Sequence, residues 1–185
     1  MASLSTLRRA LSHRDARIFF GASLTAWTGL WMHRIAVSWY AWELTGNAFW
    51  VGMVAFSDLA PAVIASPIAG AIADRVDRVR LAMLTQGAIG TVVLITGTLV
   101  ITGQMTIGLL LLLEFCSGTA QSFAQPARQT LMPGIVPRAD LPAAVGLNSL
   151  CFNVARFTGP ALAGPLIAWA GKRGAGEARH VEAER

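Results

Sequence analysis

A stretch of 33 residues without a charged side chain separates Arg80 from Glu114, and it constrains the fold more than any other feature of the chain. About 20 helical residues cross the hydrocarbon core of a bilayer, so the stretch is too long for one span. A Thr-Gly-Gln sequence at 102–104 divides it. Because backbone polar groups must be satisfied inside lipid, we interpret the two halves as membrane-spanning helices over 79–102 and 105–125.

Three more apolar segments predict three further spans, each interrupted by ionisable residues. They cover 18–42, which contains His33 and Arg34, 48–73, which contains Asp58, and 141–170, which contains Arg156. The composition agrees with this interpretation, since 54% of the 185 residues are hydrophobic and 14% are charged, whereas about 25% are charged in soluble domains. We therefore predict an all-α integral membrane protein with five spans.

The distribution of arginines predicts the orientation of these spans. The N-terminal segment 1–17 and the second and fourth connections carry arginines, Arg128 and Arg138 among them, whereas the first and third connections carry no basic residue. Basic residues favour the cytoplasmic side. We expect a cytoplasmic N-terminus in the inner or plasma membrane. The polar tail 172–185 follows the fifth span, and we expect it to be disordered and outside.

The connection between the second and third spans reads GAIADRVDRVR and carries more charge than orientation requires. Its arginines can act as topology signals alone, but acidic residues contribute little to orientation. Gly70 lies one helical turn before Asp74, which would let another helix approach closely. Asp77 is placed to cap the start of the third helix. We therefore predict that this loop does more than hold the chain in its orientation.

This loop resembles the motif G-x-x-x-D-R-x-G-R-[RK] of the major facilitator superfamily. The matching residues are Gly70, Asp74, Arg75 and Arg78. Asp77 stands where most members have glycine, a variant typical of the enterobactin-exporter-like branch, which the stretches 34–53 and 125–167 also resemble. The resemblance implies the N-terminal helical bundle of a transporter, with five of its usual six spans. On that comparison the chain looks like a truncated fragment that lacks a C-terminal half or a partner chain.

The fifth span carries a second motif. The sequence ARFTGPALAG resembles the antiporter motif G-x-x-x-G-P-x-x-G-G, and its corresponding residues are Ala155, Gly159, Pro160 and Gly164. A glycine followed by proline frees a backbone carbonyl and bends a helix. The alternative is a packing kink that is not coupled to the direction of transport. In the fourth span the family often has Arg-x-x-x-Gly, whereas this chain has Glu114 four residues before Gly118.

Ionisable residues inside the spans are the candidate cavity and coupling residues. They are Arg34, Asp58, Glu114 and Arg156. Such charges are costly in a bilayer and usually face a protein interior or an aqueous cavity. Together with aromatic side chains they would bind an amphipathic, partly charged solute, or they would form internal pairs that only hold helices together. We interpret His33 as a packed or interfacial histidine rather than a proton relay.

Two functions remain open at this point. The resemblance implies a proton-coupled exporter of siderophore-like or drug-like amphipathic solutes, whose partners are the lipid bilayer, the solute and protons. The alternative is a membrane remnant or interaction partner that inserts without transporting anything. No metal-ligand spacing, phosphate-binding loop or nucleophile–base pair occurs in the sequence, so we expect no cofactor, no metal and no enzyme activity. The basic isoelectric point reflects cytoplasmic arginines, so we expect no nucleic-acid partner.

Overall fold

A computed structural model describes the backbone of residues 14–73 and 75–183. These residues form five α-helices and one short 3₁₀ turn, and they contain no strand. The helices are α1 (Arg14–Thr45), α2 (Ala48–Ala73), α3 (Arg78–Ile101), α4 (Ile107–Ile135) and α5 (Leu141–Ala183), and the 3₁₀ turn is Arg138–Asp140. The all-α class that we predicted is confirmed.

Local sequence signals explain where the helices begin and end. Gly46 and Gly103 have φ angles of 60° and 67° in the turns after α1 and α3, a left-handed conformation that favours glycine. The side chain of Asn47 accepts a hydrogen bond of 2.9 Å from the backbone of Phe49 at the start of α2. Asp77 caps α3, because its side chain accepts a 2.7 Å bond from the backbone N–H of Arg80. The predicted cap is thus confirmed.

Two helices extend further than expected. The α4 helix continues to Ile135, so Arg128 lies within a helix rather than in the fourth connection. Pro126 lies within this helix, and proline is tolerated within membrane helices when neighbouring groups satisfy the freed carbonyl. The backbone of α5 is helical as far as Ala183, where we expected a disordered tail. The alanine, arginine and glutamate residues of this segment favour a helix.

The most extensive helix contacts join α2 to α4 and α1 to α5, and α1 also contacts α2. The α1 helix packs mainly on α5 and also on α2, while α4 packs on α2 and α3. One apolar cluster joins the first turns of α1 to the connection between α4 and α5, through Ala16, Phe20, Met132, Val136, Ala144 and Leu147. A second joins the last turns of α1 to α2 and α4, through Val37, Ala41, Val54, Met105 and Leu110. The middle of α1 lies between these clusters and carries the polar site.

The outer surface has the character expected of a protein in a bilayer. The helices α2, α3 and α4 are long and apolar enough to cross a membrane. Large apolar side chains cover the outside, among them Val63, Leu94 and Ile101, which are 72–87% exposed. Several threonine and serine hydroxyl groups donate to carbonyls of their own helices, as where Thr98 donates to the carbonyl of Leu94 at 2.8 Å. That the more polar α1 and α5 also cross stays a prediction.

Candidate functional site

An ion pair joins α1 to α2 in the middle of the bundle. Arg34 contributes two nitrogens to one carboxylate oxygen of Asp58, with Nη2 at 2.7 Å and Nε at 2.9 Å from Oδ2. Asp58 is 7% exposed, so its charge depends on this partner. Breaking a buried pair by removing one member leaves the other charge uncompensated. The pairing therefore explains how apolar helices can contain Arg34 and Asp58, since each charge neutralises the other.

A second pair joins α1 to α4. Nε2 of His33 lies 2.8 Å from Oε1 of Glu114, and the two side chains are 11% and 2% exposed. The packing that we expected for His33 is found, but its partner was not predicted. The arrangement Glu114-x-x-x-Gly118 now has a local role, since the carboxylate of this motif holds α4 against the middle of α1.

The two pairs form one cluster. His33 and Arg34 are consecutive, and Gly118 lies one turn after Glu114 on α4. A Cβ atom at Gly118 would overlap the backbone carbonyl oxygen of Asp58, so α2 and α4 approach each other here as closely as their backbones allow. Asp58 interacts electrostatically with Arg34, Glu114 and His33. Four ionisable side chains from three helices thus share one electrostatic environment.

Aromatic rings extend the cluster towards α5. The ring of Phe152 meets Trp27 and Trp31 edge to face, with centroids 5.0 Å and 6.0 Å apart. The guanidinium groups of Arg34 and Arg156 both lie over Trp31, at 5.2 Å and 5.5 Å from the ring centroid. Cation–π attraction of this kind is stronger where water is excluded. Arg156, a candidate from the sequence, is therefore brought next to Arg34 by a shared tryptophan.

A cavity of about 390 Å³ opens beside the first ion pair, and we call it the solute cavity. It lies between α1, α2, α4 and α5, with Trp27 and Phe152 on its apolar side. Its polar side is formed by Arg34, Asp58, Gln121, Ser122, Gln125 and Gln129. The sequence analysis missed the α4 residues of this wall. The glutamines recur at intervals of four residues, and this spacing in an apolar helix was the signal that could have revealed them.

Other candidates from the sequence fall outside the solute cavity. In the motif of α5, Ala155 is fully buried, and a Cβ at Gly159 would lie 2.5 Å from Cβ of Trp31, so these small residues let α5 pack closely on α1. Pro160 follows within the same continuous helix. A Cβ at Gly164 would meet no described atom within 4 Å. The motif thus serves packing on α1 over its first half.

The loop between α2 and α3 is only partly described. A Cβ at Gly70 would meet no described atom within 4 Å, so the close helix approach that we expected there is not seen in the described part of the chain. The tight contact of α2 lies instead about three turns earlier, against Gly118. Asp74 lies outside the described residues. Arg75 and Arg78 are exposed, and a groove of about 350 Å³ separates this loop from the last turns of α4.

Comparison with known proteins identifies the family of the chain. Residues 5–177 match the family described as transmembrane secretion effector. The chain belongs to this family. A 28% identical relative from Bacillus subtilis, over 76% of this chain and 33% of its own length, is named an uncharacterized MFS-type transporter. The predicted major facilitator superfamily and its siderophore- or drug-exporter-like branch are confirmed, and with them a multi-pass membrane protein of a transporter family.

Two further relatives of the chain carry specific names. The staphyloferrin A transporter of Staphylococcus aureus is 31% identical over 82% of this chain and 38% of its own length. The multidrug efflux pump Tap of Mycolicibacterium fortuitum is 27% identical over 81% of this chain and 38% of its own length. The chain therefore spans about a third of the length of the curated relatives that it matches. No solved structure gives a significant match.

Within the part of the chain that the structure describes, no three histidine, cysteine, aspartate or glutamate side chains come together as a metal site. The ionisable groups in the spans are arranged instead as the two ion pairs and as arginines over tryptophan rings. Cations, carboxylates and an imidazole are the groups that binding a partly charged solute or exchanging a proton would require. It brings together all four candidates from the spans, Arg34, Asp58, Glu114 and Arg156, around the middle of α1.

Proposed function

We propose that the chain forms one helical bundle of an exporter, which uses the proton gradient to move small amphipathic solutes out across the plasma membrane. The observation that carries the proposal is the solute cavity, which combines paired charges and aromatic rings between four helices of the bundle. In transporters built from repeated bundles the solute binds at the interface between them, so a second bundle would close the open side of this cavity.

The chemistry of the cavity wall supports an amphipathic solute. Trp27 and Phe152 offer apolar contact area, while Gln121 and Gln125 offer both donors and acceptors. Arg34 lines the cavity and Arg156 lies over the same tryptophan ring beside it, so both would offer cations to an acidic group of the solute. The names of the relatives, a staphyloferrin A transporter and a multidrug efflux pump, support siderophore-like and drug-like solutes respectively. We propose no enzyme activity and no cofactor for this cavity.

We propose that the loop between α2 and α3 acts as a cytoplasmic gate. In this superfamily the loop is expected to stabilise the outward-facing state by contacts with the second bundle, and Asp74, Arg75, Asp77 and Arg78 would make them. Asp74→Asn should then reduce transport and leave insertion intact, since the acidic residue is not needed for orientation. Unchanged transport in this variant would leave the loop with a topological role alone. The bend expected at Gly159 and Pro160 would set how α5 moves during the cycle.

Efflux measurements test the proposal. The gene is expressed in its own reading frame in cells that lack related exporters, and the efflux of fluorescent amphipathic solutes is followed with and without a protonophore. We expect proton-dependent efflux that falls at least tenfold when Arg34→Gln and Asp58→Asn are combined, because the double change removes the pair without leaving a lone buried charge. Asp15→Asn, at an exposed carboxylate in the first turn of α1 that does not line the solute cavity, is the matched control.

The same experiment separates the two candidate functions. A stable and inserted chain that gives no proton-dependent efflux would refute the exporter and would support the non-transporting membrane protein or interaction partner. Efflux that is insensitive to the protonophore would refute the proton coupling alone. Full efflux in the double variant would show that the solute binds elsewhere.

A further inference from the structure

Two more cavities meet at His33, on the side of α1 that faces α3. The lower cavity, of about 220 Å³, lies between α1, α3 and α4 and reaches Gln86 and Arg128. The upper cavity, of about 440 Å³, extends towards the turn between α1 and α2 and reaches Tyr40 and Glu43. His33 and Val93 line both cavities. The imidazole of His33 thus lies at the junction of two spaces that extend in opposite directions along α1.

These two cavities are distinct from the solute cavity. The solute cavity is lined by Arg34 and Asp58 but not by His33. Neither of the other two is lined by Arg34 or Asp58. Trp27 and Leu30 of α1 and Gln121 of α4 line both the lower cavity and the solute cavity, so α1 and α4 together form the partition between them. A small ion in the upper and lower cavities can therefore reach His33 without contact with a bound solute.

We infer that His33 and Glu114 form a proton-binding site, reached through the upper and lower cavities and separate from the site that binds the solute. Between a neutral imidazole and an ionised carboxylate, Nε2 carries the hydrogen and donates it to Oε1 of Glu114 at 2.8 Å. An incoming proton then adds to Nδ1, and the pair becomes an imidazolium–carboxylate ion pair. Histidine is the side chain whose ordinary titration lies in the physiological range.

Protonation of His33 changes the electrostatic field at the neighbouring Arg34–Asp58 ion pair. Within the membrane-crossing layer, the groups around the site are Arg34 from α1, Asp58 from α2, Arg128 from α4 and Arg156 from α5, and α3 contributes the neutral Gln86 and Thr96. Protonation of His33 changes the charge of the two pairs from one negative charge to none, and Arg128 and Arg156 add two positive charges in either state. Loss of the proton therefore changes the field at Asp58, which His33 and Glu114 already influence.

The role of this site in coupling rests on the proposed function, but its existence can be tested without transport. The whole chain is labelled with ¹⁵N-histidine, purified and placed in lipid nanodiscs, and the His33 signals are assigned by their loss in His33→Gln. We expect the ¹⁵N signals to show Nδ1 of His33 taking up a proton as the pH is lowered. In Glu114→Gln the midpoint of this uptake should lie at lower pH than in the unchanged chain, because a nearby opposite charge favours the protonated imidazole.

Glu43→Gln is the control, since it also converts a carboxylate of the upper cavity to an amide but does not touch His33. The midpoint of His33 in this variant should stay within a few tenths of a pH unit of that in the unchanged chain. Absence of titration at His33, or equal midpoints in Glu114→Gln and the control, would overturn the inference. If Glu114→Gln does not insert, His33→Phe replaces it. The infrared band of the protonated Glu114 carboxyl should then appear at higher pH than in the unchanged chain. An unmoved band would be equally decisive against the site.

The two proposals can fail independently of each other. An intact titration of His33 in a chain that gives no efflux would refute the exporter alone. Proton-dependent efflux in a chain whose His33 does not titrate would refute the proton-binding site alone, and it would move the coupling to another carboxylate such as Asp58.

Discussion

The close contact between the backbones of α2 and α4 predicts that Gly118→Ala destabilises the fold. A Cβ at this position would overlap the carbonyl oxygen of Asp58 and would lie 2.7 Å from its carbonyl carbon and 3.0 Å from its Cα. All three are backbone atoms, so no side-chain rotation can relieve the overlap. The α2 and α4 helices must separate, and the Arg34–Asp58 pair must move with them.

Two opposing effects set the magnitude of the change. Alanine is favoured over glycine inside a helix by about 1 kcal/mol, whereas overpacking a well-filled contact costs about 1–3 kcal/mol and sometimes more. Because the obstructing atoms are backbone, we place the cost at the upper end, and we expect a net loss of about 1–2 kcal/mol in the free energy of unfolding. The loss should be larger if the ion pair opens as well.

The assay is reversible unfolding of the purified chain in mixed micelles by added SDS, followed by circular dichroism. Gly90→Ala is the matched control, because a Cβ at Gly90 in α3 would meet no described atom within 4 Å. We expect this control to gain up to about 1 kcal/mol from helix propensity. If Gly118→Ala is as stable as Gly90→Ala, the backbones of α2 and α4 do not approach each other at Gly118 as closely as described.

The remaining predictions concern the loop and the orientation of the chain. Asp77→Ala should lower the free energy of unfolding by about 1 kcal/mol, whereas Asp77→Ser should be nearly neutral because serine also caps a helix; equal losses in the two variants would contradict the cap. In a cysteine-free chain, an impermeant thiol reagent added from outside should label Gln104→Cys but not Asp77→Cys, and the reverse pattern would invert the topology. From the same side it should label Gly97→Cys of the upper cavity rather than Gly90→Cys of the lower.

The features that could be predicted from the sequence are those set by local rules. Hydrophobicity alone predicts two helices from an uncharged stretch that is too long for one span. Backbone conformation and capping predict the helix ends from a glycine in the turns after α1 and α3 and from an aspartate before α3. The predicted end of the fourth span at 125 was wrong, because α4 continues to Ile135 through the proline at position 126, a residue that local sequence allows both in a loop and within a membrane helix. What decides between them is the packing of neighbouring helices, which local sequence does not contain.

The candidate site was predictable as a set of residues but not as a set of partners. Arg34, Asp58, Glu114 and Arg156 were singled out because charges are costly inside a bilayer. Their pairing depends on which faces of α1, α2 and α4 meet, and that is fixed by Gly118 at a contact between backbones. His33 was interpreted as a packed or interfacial histidine, and local sequence could not reveal its partner, because that carboxylate lies 81 residues away on α4.

The position of the two pairs on α1 suggests how they would act together. Consecutive residues of an α-helix project about 100° apart, since a turn contains about 3.6 residues. His33 therefore faces α4 while Arg34 faces α2, and the two carboxylates are held at a fixed separation by the contact of α2 with Gly118. A rotation of α1 that strains one pair must strain the other. Protonation at His33 would thus be felt at the solute cavity through the helix itself, without competition between proton and solute for one carboxylate.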